Sequence, residues 1–323
     1  MTTLSADATM AVIGTGYMGG GIAQTFALAG HPVLVADATL EQAERAVERL
    51  VAEGAAHEAS GLFPRGAPAT LRERLTAATL EEAASRAAYI SEAVPESPSL
   101  KLDVLSAVAA AASPEATIAS NTSAIPIGEL ARGVTGPERF LGVHWMNPSY
   151  FVPSVEIIPT EATDPAVLTG SVDLIRAIGK VPTVVSDSPG FVANRLQFAL
   201  FKECTRMVEE GIATPDQIDE VVRNSFGFRL PFFGPFAISD IAGLDVYAGS
   251  IATLERDYGE RFAVPAVVRE HVDAGRLGMK SGQGFYTHGP EDAERVRAYR
   301  DTAYARLVQL RADLAEREPR FEG

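Results

Sequence analysis

Residues 10–13, Met-Ala-Val-Ile, form a short apolar run; glycines follow at 14, 16 and 19, and an apolar stretch of helix length closes at Gly30. The pattern predicts a strand, a tight turn and a helix. A second apolar run, residues 32–36, ends on Asp37 and completes a βαβ unit. Alanine-rich sequence laced with Glu and Arg predicts a helix over 40–59. The Pro/Gly-rich stretch 61–68 breaks it, and helical composition resumes over 70–88. Residues 89–94 read as a buried strand ending at Pro95, after which Ser99 caps a helix over 100–112. Residues 117–120 and 140–144 are further apolar runs with a polar residue at the carboxyl end. Asp164-Pro165 opens a helix to about residue 179, and 181–186 read as a last strand. This alternation predicts an α/β domain of Rossmann type, a doubly wound parallel sheet over 1–187 with a helical insertion at about 40–88.

After residue 187 the grammar changes. Ser188-Pro189, Thr214-Pro215-Asp216-Gln217 and glycines at 211, 227, 234 and 243 are helix starts and stops with few alternating runs between them, so 188–323 is expected to be an all-helical second domain. Its last segment, 291–318, spaces Val296, Tyr299, Ala303, Leu307, Leu310 and Leu314 three or four apart. That spacing suits an amphipathic packing helix or a self-association surface.

The 323 residues are 46% hydrophobic and 22% charged, which excludes a disordered tail or a disulfide-stapled module and leaves room for two domains. Lys+Arg is 28 against Asp+Glu 42, a net charge of -14, so neither nucleic acid nor an anionic membrane is expected as a partner. Cys204 has no possible intrachain partner and fits a reducing compartment. No apolar run reaches the ~18 residues of a membrane span and residues 1–9 are short and polar, so the expected location is the cytoplasm.

Glycines at 14, 16 and 19, placed after a strand and opening a helix with an acidic residue at the next strand's end, match a dinucleotide-binding fingerprint. Gly14 permits the turn, Gly16 lets the backbone approach a pyrophosphate, and Gly19 lets helix and strand pack closely. Tyr17 and Met18 belong to the same loop, and the helix start offers free N–H groups to phosphate. Asp37 would accept from the adenosine ribose hydroxyls and repel a 2'-phosphate, which favours NAD over NADP. The plainer alternative is glycines that only turn the chain and a solvated Asp37.

Ser123, His144 and Glu156 fall at or near element ends, where an open α/β sheet forms its ligand crevice. Taken alone, a histidine at a strand end is more often a satisfied structural residue than a base. Glu156, however, lies in the apolar segment 155–158, where a carboxylate needs a partner and an imidazole is a suitable one; an arginine is the other. Residues 191–201, FVANRLQFALF, are apolar around most of a helix and are expected to be buried with Asn194 inside. Asn194 and Ser123 then donate to a substrate oxygen, or Asn194 caps a neighbouring helix. Together these residues suggest alcohol oxidation: His144 takes the hydroxyl proton, the carbinol hydride passes to NAD, and Glu156 stabilises the imidazolium.

The sequence resembles the L-3-hydroxyacyl-CoA dehydrogenase family over nearly its whole length. The motifs are GTGYMGGGIAQ at 14–24, SNTSAIPI at 120–127, HWMNP at 144–148, the glutamate twelve residues after His144, DSPGFVANR at 187–195, GPFAISDIAGLD at 234–245 and KSGQGFY at 280–286. The resemblance implies His144 as base, Glu156 as its partner, Ser123 and Asn194 near the reacting oxygen, and cofactor contacts from Glu96, Lys101, Asn147 and Lys280. It also implies a homodimer formed through the helical C-terminal domain, and a 3-hydroxyacyl-CoA of the 3-hydroxybutyryl type as the first substrate expected.

The departures bear on that substrate. Members acting on acyl-CoA usually read HFFNP, whereas this chain has Trp145 and Met146, and the following SYFVPSVEII is similar to the L-gulonate dehydrogenase and lambda-crystallin branch. Arg229 stands where branches handling free hydroxy acids carry a cation, and a guanidinium grips a carboxylate bidentately; a surface or interdomain ion pair is the alternative. The 40–88 hairpin has no lysine, though Arg65, Arg72 and Arg74 remain to meet CoA phosphates. Two rival readings follow: a dehydrogenase of a free hydroxy acid, including sugar acids or an aromatic hydroxymethyl acid, and a non-catalytic NAD-binding protein of crystallin type.

Overall fold

The computed structural model describes residue 5 and residues 7–317. The rest of the polar start, residues 1–4 and 6, and residue 318 of the expected C-terminal helix lie outside the described residues.

The first βαβ unit is β1 (Met10–Ile13), α1 (Tyr17–Leu28) and β2 (Val33–Ala36), with both strands fully buried and parallel. Burial on both faces is why they read as continuous apolar runs instead of alternating ones. The chain continues through α2 (Leu40–Ala59), α3 (Ala67–Arg74), β3 (Leu75–Ala77), α4 (Leu80–Arg86), β4 (Tyr89–Glu92), α5 (Pro98–Ala111), β5 (Thr117–Ser120) and the single turn α6 (Ile127–Leu130). Then come β6 (Phe140–Trp145), β7 (Ser154–Pro159), α7 (Pro165–Ala177) and β8 (Val181–Val184). The eight strands form one sheet in the order β3-β2-β1-β4-β5-β6-β7-β8, mostly parallel, the Rossmann architecture expected.

Three details differ from the pattern reading. Residues 70–88 are not one helix: the chain extends at Leu75, which is buried, and adds an edge strand beside β2. A capping box then restarts a helix, Thr79 accepting from the N–H of Glu82 and Glu82 reaching back to Thr79. The cap of α5 is Ser97, not Ser99, because Pro98 suits the first helical position. Finally β7 runs antiparallel to β6, joined by a loop too short for a crossover helix.

Alternate residues of the strands divide between two cores. Met10, Val12, Leu141, Val143, Trp145, Val155 and Ile157 pack on one face with Phe26 and Leu174. Ala11, Ile13, Phe140 and Ile158 pack on the other with Leu105 and Ile118. With a side-chain period of two, His144 and Glu156 belong to this second face.

Two compact units divide the chain, the first through Phe201 and the second from Lys202, so that α8 (Ala193–Glu209) belongs to both. The second unit is helical: α9 (Pro215–Asn224), α10 (Phe226–Arg229), α11 (Pro235–Ala242), α12 (Leu244–Tyr258), α13 (Ala266–Asp273) and α14 (Asp292–Leu314). Here Asp240, fully buried, accepts from the N–H groups of Phe285 and Tyr286 and pairs with His288. A Cβ on Gly278 or Gly284 would strike Asp240, which accounts for glycine in this loop.

The expected burial of residues 191–201 holds for Phe191 but not beyond: Leu196, Phe198, Leu200 and Phe201 are exposed. Of the expected stripe on α14 only Ala303 is buried, while Tyr299, Leu310 and Leu314 are exposed. Apolar composition marks a face that needs covering, and in the single chain these faces have no cover.

The loop entering β6 is fixed by Arg139, which is buried and donates to the carbonyls of Ala109 and Ser113 at the end of α5 and of Thr135 in the loop itself. Arg139→Ala leaves these acceptors unpaired and is expected to cost about 2–3 kcal/mol in urea unfolding; a loss under about 0.5 kcal/mol would show that water replaces the guanidinium freely.

Candidate active site

The glycine turn opens a cavity of about 700 Å³ lined by Gly14, Gly16, Tyr17, Met18, Asp37, Glu96, Asn121 and Ser123, among others. Gly14 has φ 94°, and a Cβ there would lie 2.8 Å from the backbone of Ala93 and Val94. Gly19 packs its helix directly on the Gly14 carbonyl. A Cβ on Gly16 would meet nothing within 4 Å, so this residue faces open space, and as N-cap of α1 it makes no side-chain cap. The first N–H groups of α1 are therefore available to an anion. Asp37 accepts from the Thr15 N–H at 2.9 Å, the Thr15 hydroxyl and the Ala38 N–H, while Arg49 donates to the Thr15 carbonyl at 2.6 Å. A phosphate cradle beside a loop-fixed carboxylate suits a dinucleotide.

At the other end of the cavity lies a charge cluster that the motifs only partly announced. Glu92, with no exposure, accepts from Lys101 Nζ at 2.8 Å, from the Val94 N–H and from the Ser120 hydroxyl. Lys101 also lies 3.5 Å from Glu96. Glu96 in turn accepts from the Thr122 hydroxyl at 2.6 Å and the N–H groups of Ser123 and Ala124 at 2.8 and 3.0 Å. Lys101 is thus fully buried as a counter-ion, and Glu96 is the member that reaches the cavity. The carboxylate Glu92 was missed; its signal was a charged residue closing the apolar run of β4.

His144 and Glu156 are direct cross-strand partners on β6 and β7. Both are buried, with His144 Nδ1 2.8 Å from Glu156 Oε2. The other oxygen, Oε1, accepts from the N–H groups of Val192 and Ala193 at 3.0 and 2.9 Å. Asn121, which lines the cavity, accepts from the Trp145 N–H at 2.9 Å and so ties the cavity wall to the residue after His144. Asn194 Nδ2 donates to the Ser123 carbonyl at 2.8 Å, and Asp187 accepts from the N–H groups of Ile127 and Gly128. The motifs at 120–127 and 187–195 are therefore one construction. Asn147 is exposed just past β6. Lys280 and Arg229 lie in the second unit, Lys280 paired with Asp245 and Arg229 lining a cavity of about 470 Å³ within that unit with Phe233, Ile238 and Tyr304. Among the described residues no cluster of His, Cys, Asp or Glu suits a metal ion, and no helix is long and apolar enough to cross a membrane.

A dinucleotide cradle at the strand ends and a buried imidazole–carboxylate pair nearby define a dehydrogenase of the NAD-dependent class. Residues 9–188 match the family model for the 3-hydroxyacyl-CoA dehydrogenase NAD binding domain, and 190–288 match that family's C-terminal domain. The chain belongs to the 3-hydroxyacyl-CoA dehydrogenase family and is an NAD-dependent oxidoreductase acting on CH–OH groups. It is 36% identical over 311 residues to 5-formyl-3-hydroxy-2-methylpyridine 4-carboxylate 5-dehydrogenase of Mesorhizobium japonicum, covering 96% of this chain and 99% of that one. To a probable 3-hydroxybutyryl-CoA dehydrogenase of Bacillus subtilis it is 35% identical over 278 residues, 86% of this chain and 96% of the relative. Among solved structures, a 3-hydroxyacyl-CoA dehydrogenase of Archaeoglobus fulgidus superposes with TM-score 0.79 at 30% identity, covering 94% of this chain and 98% of that one.

Burial pushes the Asp37 carboxyl up, but hydrogen bonds from Thr15 and Ala38 and the nearby Arg49 outweigh it and hold the group below its ordinary value. For Glu96 the burial penalty is likewise overcome by Thr122, Ser123, Lys101 and Ala124. A carboxyl lowered on folding stabilises the native state above its unfolded pKa, about 4, and loses that contribution as pH falls through the lower folded value. Glu96→Gln should therefore lower the urea midpoint at neutral pH, and the gap to wild type should narrow below about pH 4. A gap independent of pH would refute the assignment.

Proposed function

We propose that this protein oxidises the hydroxyl group of a free hydroxy acid, with His144 as general base and Glu156 as its partner. The observation that carries the chemistry is the 2.8 Å bond from His144 Nδ1 to Glu156, whose other oxygen is held by two backbone N–H groups. With its Nδ1 proton committed to the carboxylate, the neutral ring keeps the lone pair of Nε2 to take the substrate's hydroxyl proton. NAD⁺, when bound, accepts the hydride that leaves the same carbon, so alcohol becomes carbonyl and one proton remains on Nε2. Glu156 balances the imidazolium. Gly14, Gly16, Tyr17, Met18, Gly19, Asp37 and Glu96 hold the dinucleotide, and Lys101 holds Glu96 in place. Ser123 and Asn194, joined to each other, stand at the substrate's oxygen.

For the substrate, Arg229 supports a free carboxylate: among the described residues its side chain has no hydrogen bond or ion pair, and it lines a cavity of the helical unit with Phe233, Tyr304, Arg300 and Asp301. The pyridine-carboxylate relative, matched over 96% of this chain, points the same way. At the tip of the 40–88 hairpin Phe63 is buried with its ring 5.6 Å from that of Tyr150, and beside them lies an open cavity of about 330 Å³ lined also by Leu62, Pro64 and Phe151. The acyl-CoA reading retains the family description, the relatives named 3-hydroxybutyryl-CoA dehydrogenase, the Archaeoglobus fulgidus superposition and the exposed Arg65 and Arg72 on that hairpin. The open apolar faces on α8 and α14 support a homodimer through the helical unit. A lone free thiol, Cys204, suits the cytoplasm as the place of action.

His144→Ala should lower turnover by roughly two to four decades while leaving NAD⁺ affinity nearly unchanged. NADH absorbance with 3-hydroxybutyryl-CoA, free 3-hydroxybutyrate, L-gulonate and a hydroxymethyl pyridine carboxylate decides the class. Preference for a free acid, with kcat/KM reduced roughly tenfold or more by Arg229→Ala, is expected; preference for the thioester overturns the free-acid reading, and no turnover on any of them leaves the crystallin-type reading.

A further inference from the structure

We propose that the Gly190–Phe191 turn is a carboxylate-binding nest whose backbone strain fixes Glu156 and, through it, the tautomer of His144, which makes Phe191 a positioning residue. The inference rests on His144 being the base.

Among the described residues, Phe191 is the one non-glycine residue with positive φ, 48°, and it follows Gly190 at φ 73°. Bulky residues adopt this region rarely, and such strain persists only where the surroundings over-determine it. Here they do. Phe191 has no exposure, its N–H donates to the Ser188 carbonyl at 2.9 Å, and Asp187 anchors the approach through Ile127 and Gly128. Its ring lies 5.6 Å from that of His144 at an interplanar angle of 52°.

The turn aims the next two N–H groups, those of Val192 and Ala193, at one atom, Glu156 Oε1. Successive backbone N–H groups in a left-handed turn form an anion-binding concavity, and here its occupant is the protein's own carboxylate. These donors cannot reverse. They make Oε1 an acceptor and turn Oε2 toward the imidazole, so His144 carries its proton on Nδ1 and leaves Nε2 open. The motif DSPGFVANR thereby acquires a physical reason for its glycine and phenylalanine beyond packing.

Two variants of nearly equal volume separate backbone from ring. Phe191→Leu and Phe191→Ile both remove the aromatic contact, but β-branching makes the left-handed region far less accessible to isoleucine. The ring nitrogens of His144 are read by ¹⁵N NMR, assigned by comparison with His144→Gln. Wild type and Phe191→Leu should show a neutral ring protonated at Nδ1, and Phe191→Ile a mixture of tautomers. On the best substrate, kcat of Phe191→Ile should fall roughly tenfold or more below that of Phe191→Leu with KM for NAD⁺ unchanged. Equal tautomer patterns in the two variants overturn the proposal. If Phe191→Ile does not fold, Gly190→Ala replaces it: the new Cβ meets nothing closer than 3.6 Å, so only the φ of 73° is opposed, and a wild-type tautomer there overturns the proposal. Because the NMR signal needs no substrate, absence of turnover would count against the dehydrogenase reading and leave this one standing or falling on its own.

Discussion

The site depends on the antiparallel pairing of β6 with β7. In an otherwise parallel sheet this reversal sets residues 144 and 156 directly opposite each other, on the same face, with the carboxylate within bonding distance of the ring. A slip of one residue would carry Glu156 through to the side of Trp145 and leave a buried imidazole and a buried carboxylate each without its partner. The large apolar residues on the opposite face, Leu141, Val143 and Trp145 against Val155 and Ile157, make that slip costly. Core packing and site geometry are here one constraint read from two sides of the sheet.

Around this pair the chain uses carboxylates mainly to hold backbone. Glu156 holds the start of α8, Glu96 holds the 122–124 turn, Asp187 holds α6 and Asp240 holds the 285–286 loop. Each fixes two main-chain N–H groups, and such bonds to an ionised acceptor are stronger than neutral ones. The 122–124 turn, which borders the cavity, thus rests on main-chain bonds to Glu96 more than on flexible side-chain contacts.

Much of this was legible in the sequence where local chemistry dictates structure. Gly14 needs positive φ, Asp164-Pro165 and Thr214-Pro215 start helices, and apolar runs ending in a polar residue become buried strands. Edge strand β3 was not legible, because Leu75 to Ala77 is too short to show a period and its partner β2 is distant in sequence. The partners of Glu92 and the role of the 190–191 turn were hidden for the same reason, since a hydrogen bond between residues 156 and 193 leaves no trace in either segment. Residues 196–201 misled in the opposite direction: their composition records a need for cover without saying which molecule supplies it.

Asp37 keeps part of its acceptor capacity open: both Thr15 donors fall on Oδ2, and Oδ1 accepts only from the Ala38 N–H. On the proposed reading a ribose hydroxyl would add a bond at Oδ1 without displacing one, whereas a phosphate in the same place would meet a carboxylate held ionised by its donors. One side chain would then welcome one form of the cofactor and turn the other away.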